Sequence, residues 1–164
     1  MPSFAGWFAL AGAIIAADFA TKAWVLAVFR PHETLTVTPF FNLVLVFNPG
    51  ASFSFLADAG GWQRWFFVAL ALAISAWLIV MLRRHARERL LPTAFALVLG
   101  GALGNVIDRI RFGAVVDFLD FHAFGWHWPA FNVADSAITI GVILLIWQQL
   151  FHEGKAHDRP RPAR

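Results

Sequence analysis

Polar residues are so sparse along this chain that they punctuate it. Phe4 to Phe29 is apolar except for Asp18 and Lys22, and at ~1.5 Å per residue such a run exceeds a ~30 Å hydrocarbon core. It predicts a first spanning helix over residues 4–29. Trp65 to Leu82 holds eighteen residues without a charge and ends in the basic run Arg83-Arg84-His85-Ala86-Arg87-Glu88-Arg89, which predicts a second span over 63–82. Pro92 suits the first turn of a third span, 91–109, where Gly100, Gly101 and Gly104 permit close backbone contact. Val133 to Phe151 gives the fourth span, and the polar tail 154–164 is expected to be disordered.

Between the first two spans the pattern changes. Leu35-Thr36-Val37-Thr38 alternates, Phe40 to Phe47 is aromatic and β-branched, and Asn48-Pro49-Gly50 is a turn signal. A short strand or hairpin is predicted there. Unpaired backbone cannot face lipid, so it must lie at the interface or under protein. The connection from Arg109 to Asn132 reads as an aromatic loop, with Trp126 and Trp128 suited to the headgroup level. The Arg83–Arg89 run and the tail hold eight of the thirteen Lys and Arg residues, which marks their side as cytoplasmic. Both connections then share the opposite face, and both termini are cytoplasmic. No basic residue precedes Lys22, so the first span is expected to be retained rather than cleaved as a signal peptide.

Composition agrees with this pattern. At 59% hydrophobic and 14% charged, with a mean hydropathy of +0.64, the chain lies outside the range of soluble domains. The expectation is one membrane-embedded domain, residues 1–164: an all-α membrane protein of four helices with a small β-containing segment on its outer face. The absence of cysteine excludes disulfides and thiolate chemistry. Topology accounts for the net charge of +3, and no nucleic-acid partner is expected.

Candidate chemistry concentrates in Gly100–Asp135, which holds four of the ten carboxylates: Asp108, Asp117, Asp120 and Asp135. Asp117 and Asp135 flank the second connection. If brought together they cannot both ionise cheaply, and such a pair can activate water with one member while the other donates a proton. The spacing alone favours a plainer reading, Asp135 as a helix cap beside Asn132. Asp120 reads as a bystander. Asn105 and Asp108 share a helix face, and Asp108-Arg109 reads as a structural ion pair, with Arg109 also placed to clamp a carbonyl or phosphate. Asp18 and Lys22, four apart, can neutralise each other within the first span; that pair alone also fits an ion carrier or a packing device. His122 and His127 make a weak metal signal, and Ser52, Ser54 and Ser136 are nucleophiles only in name.

Five motifs stand in order: Asp18-Phe-Ala-Thr-Lys22, Phe47-Asn-Pro-Gly-Ala-Ser-Phe-Ser-Phe55, Gly104-Asn-Val-Ile-Asp-Arg109, Val115-Val-Asp-Phe118 and Phe131-Asn-Val-Ala-Asp135. As a set they resemble the lipoprotein signal peptidases, also called signal peptidase II. The resemblance implies an aspartic endopeptidase of the bacterial inner membrane that cuts prolipoproteins before a diacylglyceryl-modified cysteine. It places catalysis on Asp117 and Asp135 near the periplasmic face, and supporting roles on Asp18, Lys22, Asn48, Gly50, Asn105, Asp108, Arg109 and Asn132. Ser52 stands where alanine is more frequent in that family. The expected partners are lipid-modified prolipoproteins and membrane lipids, the expected state is a monomer, and no metal or other cofactor is required.

Overall fold

Each apolar run forms one helix. The computed structural model describes residues 4–50 and 60–151; Ser52, Ser54 and the 154–164 tail lie outside them. The helices are α1 (Phe4–Val28), α2 (Trp62–His85), α3 (Leu90–Phe112) and α4 (Val133–Phe151), each long and apolar enough to cross a membrane. They match the expected spans, except that α2 and α3 each run a turn further at the C-terminal end.

α3 packs against all three other helices and is mostly buried, with 61% of its apolar window covered against 17–22% in the others. Glycine makes this possible. A Cβ on Gly101 would overlap the carbonyl oxygen of Ala134 in α4, and one on Gly104 would stand 2.8 Å from Asp18 Oδ2 in α1. α4 reciprocates at Gly141, where a Cβ would meet the Ala94 carbonyl oxygen at 2.8 Å. On the other side, Leu78 and Leu82 of α2 close against Phe95 and Leu99, with Trp7 and Ala11 of α1 completing the cluster. The Trp7 indole also donates to the Ala86 carbonyl at 3.1 Å, tying the start of α1 to the α2–α3 turn.

The connections at the opposite end combine into one antiparallel sheet, in the order β1 (Thr34–Thr38), β2 (Phe41–Asn48), β3 (Val115–Ala123), β4 (Trp126–His127). β1 and β2 come from the α1–α2 connection, β3 and β4 from the α3–α4 connection. The second connection is therefore not the loop its aromatic content suggested. Its run of β-branched and aromatic residues, Val115 to Phe121 between Gly113 and Gly125, is a strand signal. Leu43 pairs with Leu119 and Val46 with Asp117, so Val44 and Leu45 together oppose Phe118. This bulge lets both β2 residues turn inward. Leu45, Val116 and Phe118 seat the sheet on Val25 and Phe29 at the end of α1.

Two glycine substitutions separate close packing from intrinsic helix preference. Gly101→Leu should lower the Tm of the protein in detergent by several degrees, because backbone rather than a flexible side chain occupies the space. Gly12→Ala, with nothing within 4 Å of its new Cβ, should leave the Tm unchanged or raise it slightly.

Candidate active site

A buried ammonium lies at the root of the site. Lys22 Nζ is 2.7 Å from Asp18 Oδ2, 2.8 Å from Asp108 Oδ2 and 3.2 Å from Asn105 Oδ1. All three charged side chains are at most 4% exposed. Each acid also accepts a backbone N–H from another element. Asp18 Oδ1 takes that of Ala134 at 2.9 Å, in the first turn of α4, and Asp108 Oδ2 takes that of Val116 at 3.1 Å, on β3. One clip sits one residue from Asp135 and the other one residue from Asp117. The expected Asp108–Arg109 ion pair is not formed. Consecutive helix positions point away from each other, and Arg109 turns instead to the Gly50 carbonyl, where its Nη2 donates at 2.7 Å, with its guanidinium 5.1 Å from the Phe67 ring centre.

Asn132 joins the two halves. As the residue before α4, it accepts the Asp135 N–H on its Oδ1 at 2.9 Å, while its Nδ2 donates to Asp117 Oδ1 at 2.7 Å and to the Val116 carbonyl at 3.2 Å. The cap is therefore Asn132 and not Asp135. This leaves the Asp135 carboxyl free to accept from Asn105 Nδ2 at 2.7 Å. Asn105 thus offers its oxygen to Lys22 and its nitrogen to Asp135. Asn48 Nδ2 reaches Asp117 Oδ2 at 3.2 Å, and Asn48 Oδ1 accepts the Gly50 N–H at 3.0 Å.

Asp117 and Asp135 line one cavity of about 860 Å³ together with Asn48, Gly50, Asn105 and Arg109. Asp18, Lys22, Asp108 and Asn132 are buried behind it. Burial, with repulsion from Asp135 added, pushes the Asp117 carboxyl up to about 7, against the hydrogen bonds from Asn48 and Asn132 and the charge of Lys22. The cavity's far wall is Trp128-Pro129-Ala130-Phe131, and its lining extends along α4 to Thr139 and to Ile140, which is half exposed. Sequence reasoning missed this wall. Its signal was an aromatic segment bracketing a proline, which becomes a wall only once Phe131 bridges to Leu119.

Asp120 takes no part in the cavity but is not idle. It accepts from Asn42 Nδ2 at 2.8 Å and lies 2.9 Å from His127 Nδ1. Burial alone would raise its carboxyl; the hydrogen bonds from Asn42 and His127 and the neighbouring imidazoles outweigh it and hold the group below the ordinary carboxylate value. The His122 and His127 rings stack at 4.8 Å, and among the described residues no group of three or more His, Cys, Asp or Glu side chains is placed to hold a metal ion. Ser136 donates to the Asn132 carbonyl at 2.9 Å, an ordinary helix-start contact.

Four apolar helices, a sheet closing one end and a half-enclosed cavity with two converging acids are the architecture of a membrane-embedded enzyme. The model of the family described as signal peptidase (SPase) II matches residues 10–151. The lipoprotein signal peptidase of Azoarcus sp. (strain BH72) is 56% identical over 96% of this chain and 89% of its own length, and that of Paraburkholderia phymatum is 54% identical over 90% and 89%. Two solved structures of bacterial membrane enzymes, both obtained by the in meso method, have the same fold. One has a TM-score of 0.82 at 31% identity, covering 96% of this chain and 94% of the other; the second has 0.77 at 33%, covering 89% and 93%. The chain belongs to the signal peptidase II family.

Two measurements probe the buried network. Lys22→Met leaves two buried carboxylates without their cation and should destabilise the fold by about 3–5 kcal/mol, read as a large loss of Tm. For Asp117, an acid whose native value is raised from 3.8 to about 7 contributes stability that is present below pH ~4 and is lost as pH rises through about 7. Asp117→Asn, which mimics the neutral acid, should therefore match the wild-type Tm near pH 4 and exceed it at pH 8.

Proposed function

We propose that Asp117 and Asp135 are the catalytic dyad of this signal peptidase II-type aspartic peptidase, acting on lipid-modified prolipoproteins. The observation that carries this reading is the convergence of two acids from separate elements on one cavity, with Asp117 raised to about 7 by burial and by its neighbour. The pair then holds one proton near neutral pH. We assign that proton to Asp117, leaving the Asp135 carboxylate, oriented by Asn105, as the base.

Hydrolysis follows from this arrangement. Asp135 takes a proton from water as the water oxygen bonds to the scissile carbonyl carbon, and Asp117 gives its proton to the carbonyl oxygen, forming a neutral gem-diol. Collapse re-forms the carbonyl, breaks the C–N bond and passes a proton from Asp135 to the departing amine, while Asp117 recovers its own from the hydroxyl. Arg109 and Asn48 act on the cavity rim: Arg109 holds the Gly50 carbonyl and Asn48 folds the chain back onto the Gly50 N–H. Together they shape the end of β2 beyond its pairing with β1, against which an extended peptide can lie.

The placement in the membrane is part of the same proposal. The Arg83–Arg89 turn lies at the end of the bundle opposite the sheet, which supports cytoplasmic termini and a periplasmic cavity in the bacterial inner membrane. The substrate's acyl chains would stay in lipid beside the half-exposed Ile140. The enzyme would act as a monomer, a reading supported by one chain supplying both acids of the dyad.

The test uses purified protein in lipid with a diacylglyceryl-modified prolipoprotein. Asp117→Asn and Asp135→Asn should each reduce cleavage by ~10³-fold or more, and cleavage at the wild-type rate by either would overturn the dyad. In the wild type, kcat/KM should fall as pH rises through about 7, as Asp117 loses the proton it must donate.

A further inference from the structure

The two-residue turn between β3 and β4 is built from an unfavourable residue. His122 pairs with His127 and Ala123 with Trp126, so Phe124 and Gly125 form the turn, with φ of 53° and 80°. Two positive φ values define the mirror-image hairpin turn, whose first position favours Asn, Asp or Gly. A bulky side chain there is sterically disfavoured. Phe124 gains no protein packing in return, because it is fully exposed at 108%.

The surroundings explain what such a residue meets. Trp126 is 61% exposed and Trp128 47%, their rings edge to face at 5.8 Å. From Phe121 to Phe131 there is no Asp, Glu, Lys or Arg. The base of the hairpin is pinned by the His127–Asp120–Asn42 contacts and by the Trp128 N–H to the Phe121 carbonyl at 2.8 Å. Trp128 is also a wall of the cavity, whose lining reaches Ile140 on the lipid-facing side of α4, where Ile143 is exposed as well. The cavity mouth thus lies between the aromatic hairpin, at Trp128, and the surface that α4 presents to lipid, at Ile140. A Trp-containing surface without Asp, Glu, Lys or Arg matches the boundary between headgroups and acyl chains.

We propose that the Phe124–Trp128 hairpin is an aromatic wedge seated in the headgroup–acyl boundary of the bilayer, and that through Trp128 it sets the height of the cavity mouth for a substrate whose lipid stays in that leaflet. The second half rests on the peptidase reading; the first does not. The rigid base makes the hairpin a lever, so that the depth of the tip fixes the position of the wall.

The absence of native cysteine allows a direct test. Phe124→Cys, labelled with an environment-sensitive fluorophore, is placed in phosphatidylcholine–phosphatidylglycerol vesicles. Quenching by lipids brominated near the top of the acyl chain, with protection from aqueous iodide, is expected. A probe open to iodide and unaffected by bromolipid overturns the wedge, whether or not the protein cleaves anything. In parallel, Phe124→Asn suits the turn and should keep or raise the Tm, while KM for the lipid-modified prolipoprotein rises roughly fivefold with kcat retained; Phe124→Trp should restore KM. A KM unchanged in Phe124→Asn overturns the link to substrate. Failure of the wild type to cleave would count against the peptidase reading and leave the quenching result standing.

Discussion

The structure depends on how a single buried ammonium is neutralised. Lys22 cannot be held in a membrane interior without counter-charges, and it gathers Asp18 from its own helix and Asp108 from α3. The second lone pairs of these acids do not go to waste: each captures an N–H at the start of an element bearing one of the two cavity aspartates. The charge balance of the core and the geometry of the cavity are therefore one problem with one solution. A buried ion cluster contributes little net stability compared with apolar packing, but it specifies position, since every member must be satisfied at once.

Helix packing and sheet topology serve the same end. Gly101 and Gly104 bring α3 close enough to α4 and α1 for Asp18 to reach the Ala134 N–H. The pairing of β2 with β3 fastens two connections that are far apart in sequence into one roof, with Val46 opposite Asp117. Asn132 then spans the remaining gap, touching the carboxyl of Asp117 and the backbone of Asp135. Asp117 is held by amides rather than by arginine, so it is not locked into its ionised form and can keep a proton near neutrality.

The four spans were legible because apolar runs of helical length have no other stable outcome in a bilayer, and the Asp18–Lys22 pair because i,i+4 spacing brings side chains together. Asp117, Asp135 and the polar residues gathered round them, Asn48, Asn105, Arg109 and Asn132, all fall within the five ordered motifs. Other features were hidden for physical reasons. Asp108 and Arg109 are adjacent in sequence, which suggested a pair, yet helix geometry sends them to Lys22 and Gly50 respectively. Asp135 and Asn132 both looked like caps, and only the observed bond from the Asp135 N–H assigns the cap to Asn132. β3 was read as a loop because its aromatic content fits an interface equally well, and its partner strand lies some seventy residues away. The cavity wall at Trp128–Phe131 arises from that same long-range pairing.

The Asp18–Lys22 pair also bears on how the chain enters the membrane. Before α3 and α4 arrive, α1 carries two charges near mid-helix, but they lie one turn apart and can cancel each other within the helix. The first span can thus be handed to lipid as an electrically neutral segment. Lys22 then engages Asp108 when α3 docks, and Asp18 engages the Ala134 N–H only when α4 is in place. In chain order the local pair comes first, and the full set of contacts exists only with α4 present. Without α4 the chain lacks one of the two acids and the Asn132 bridge to the other.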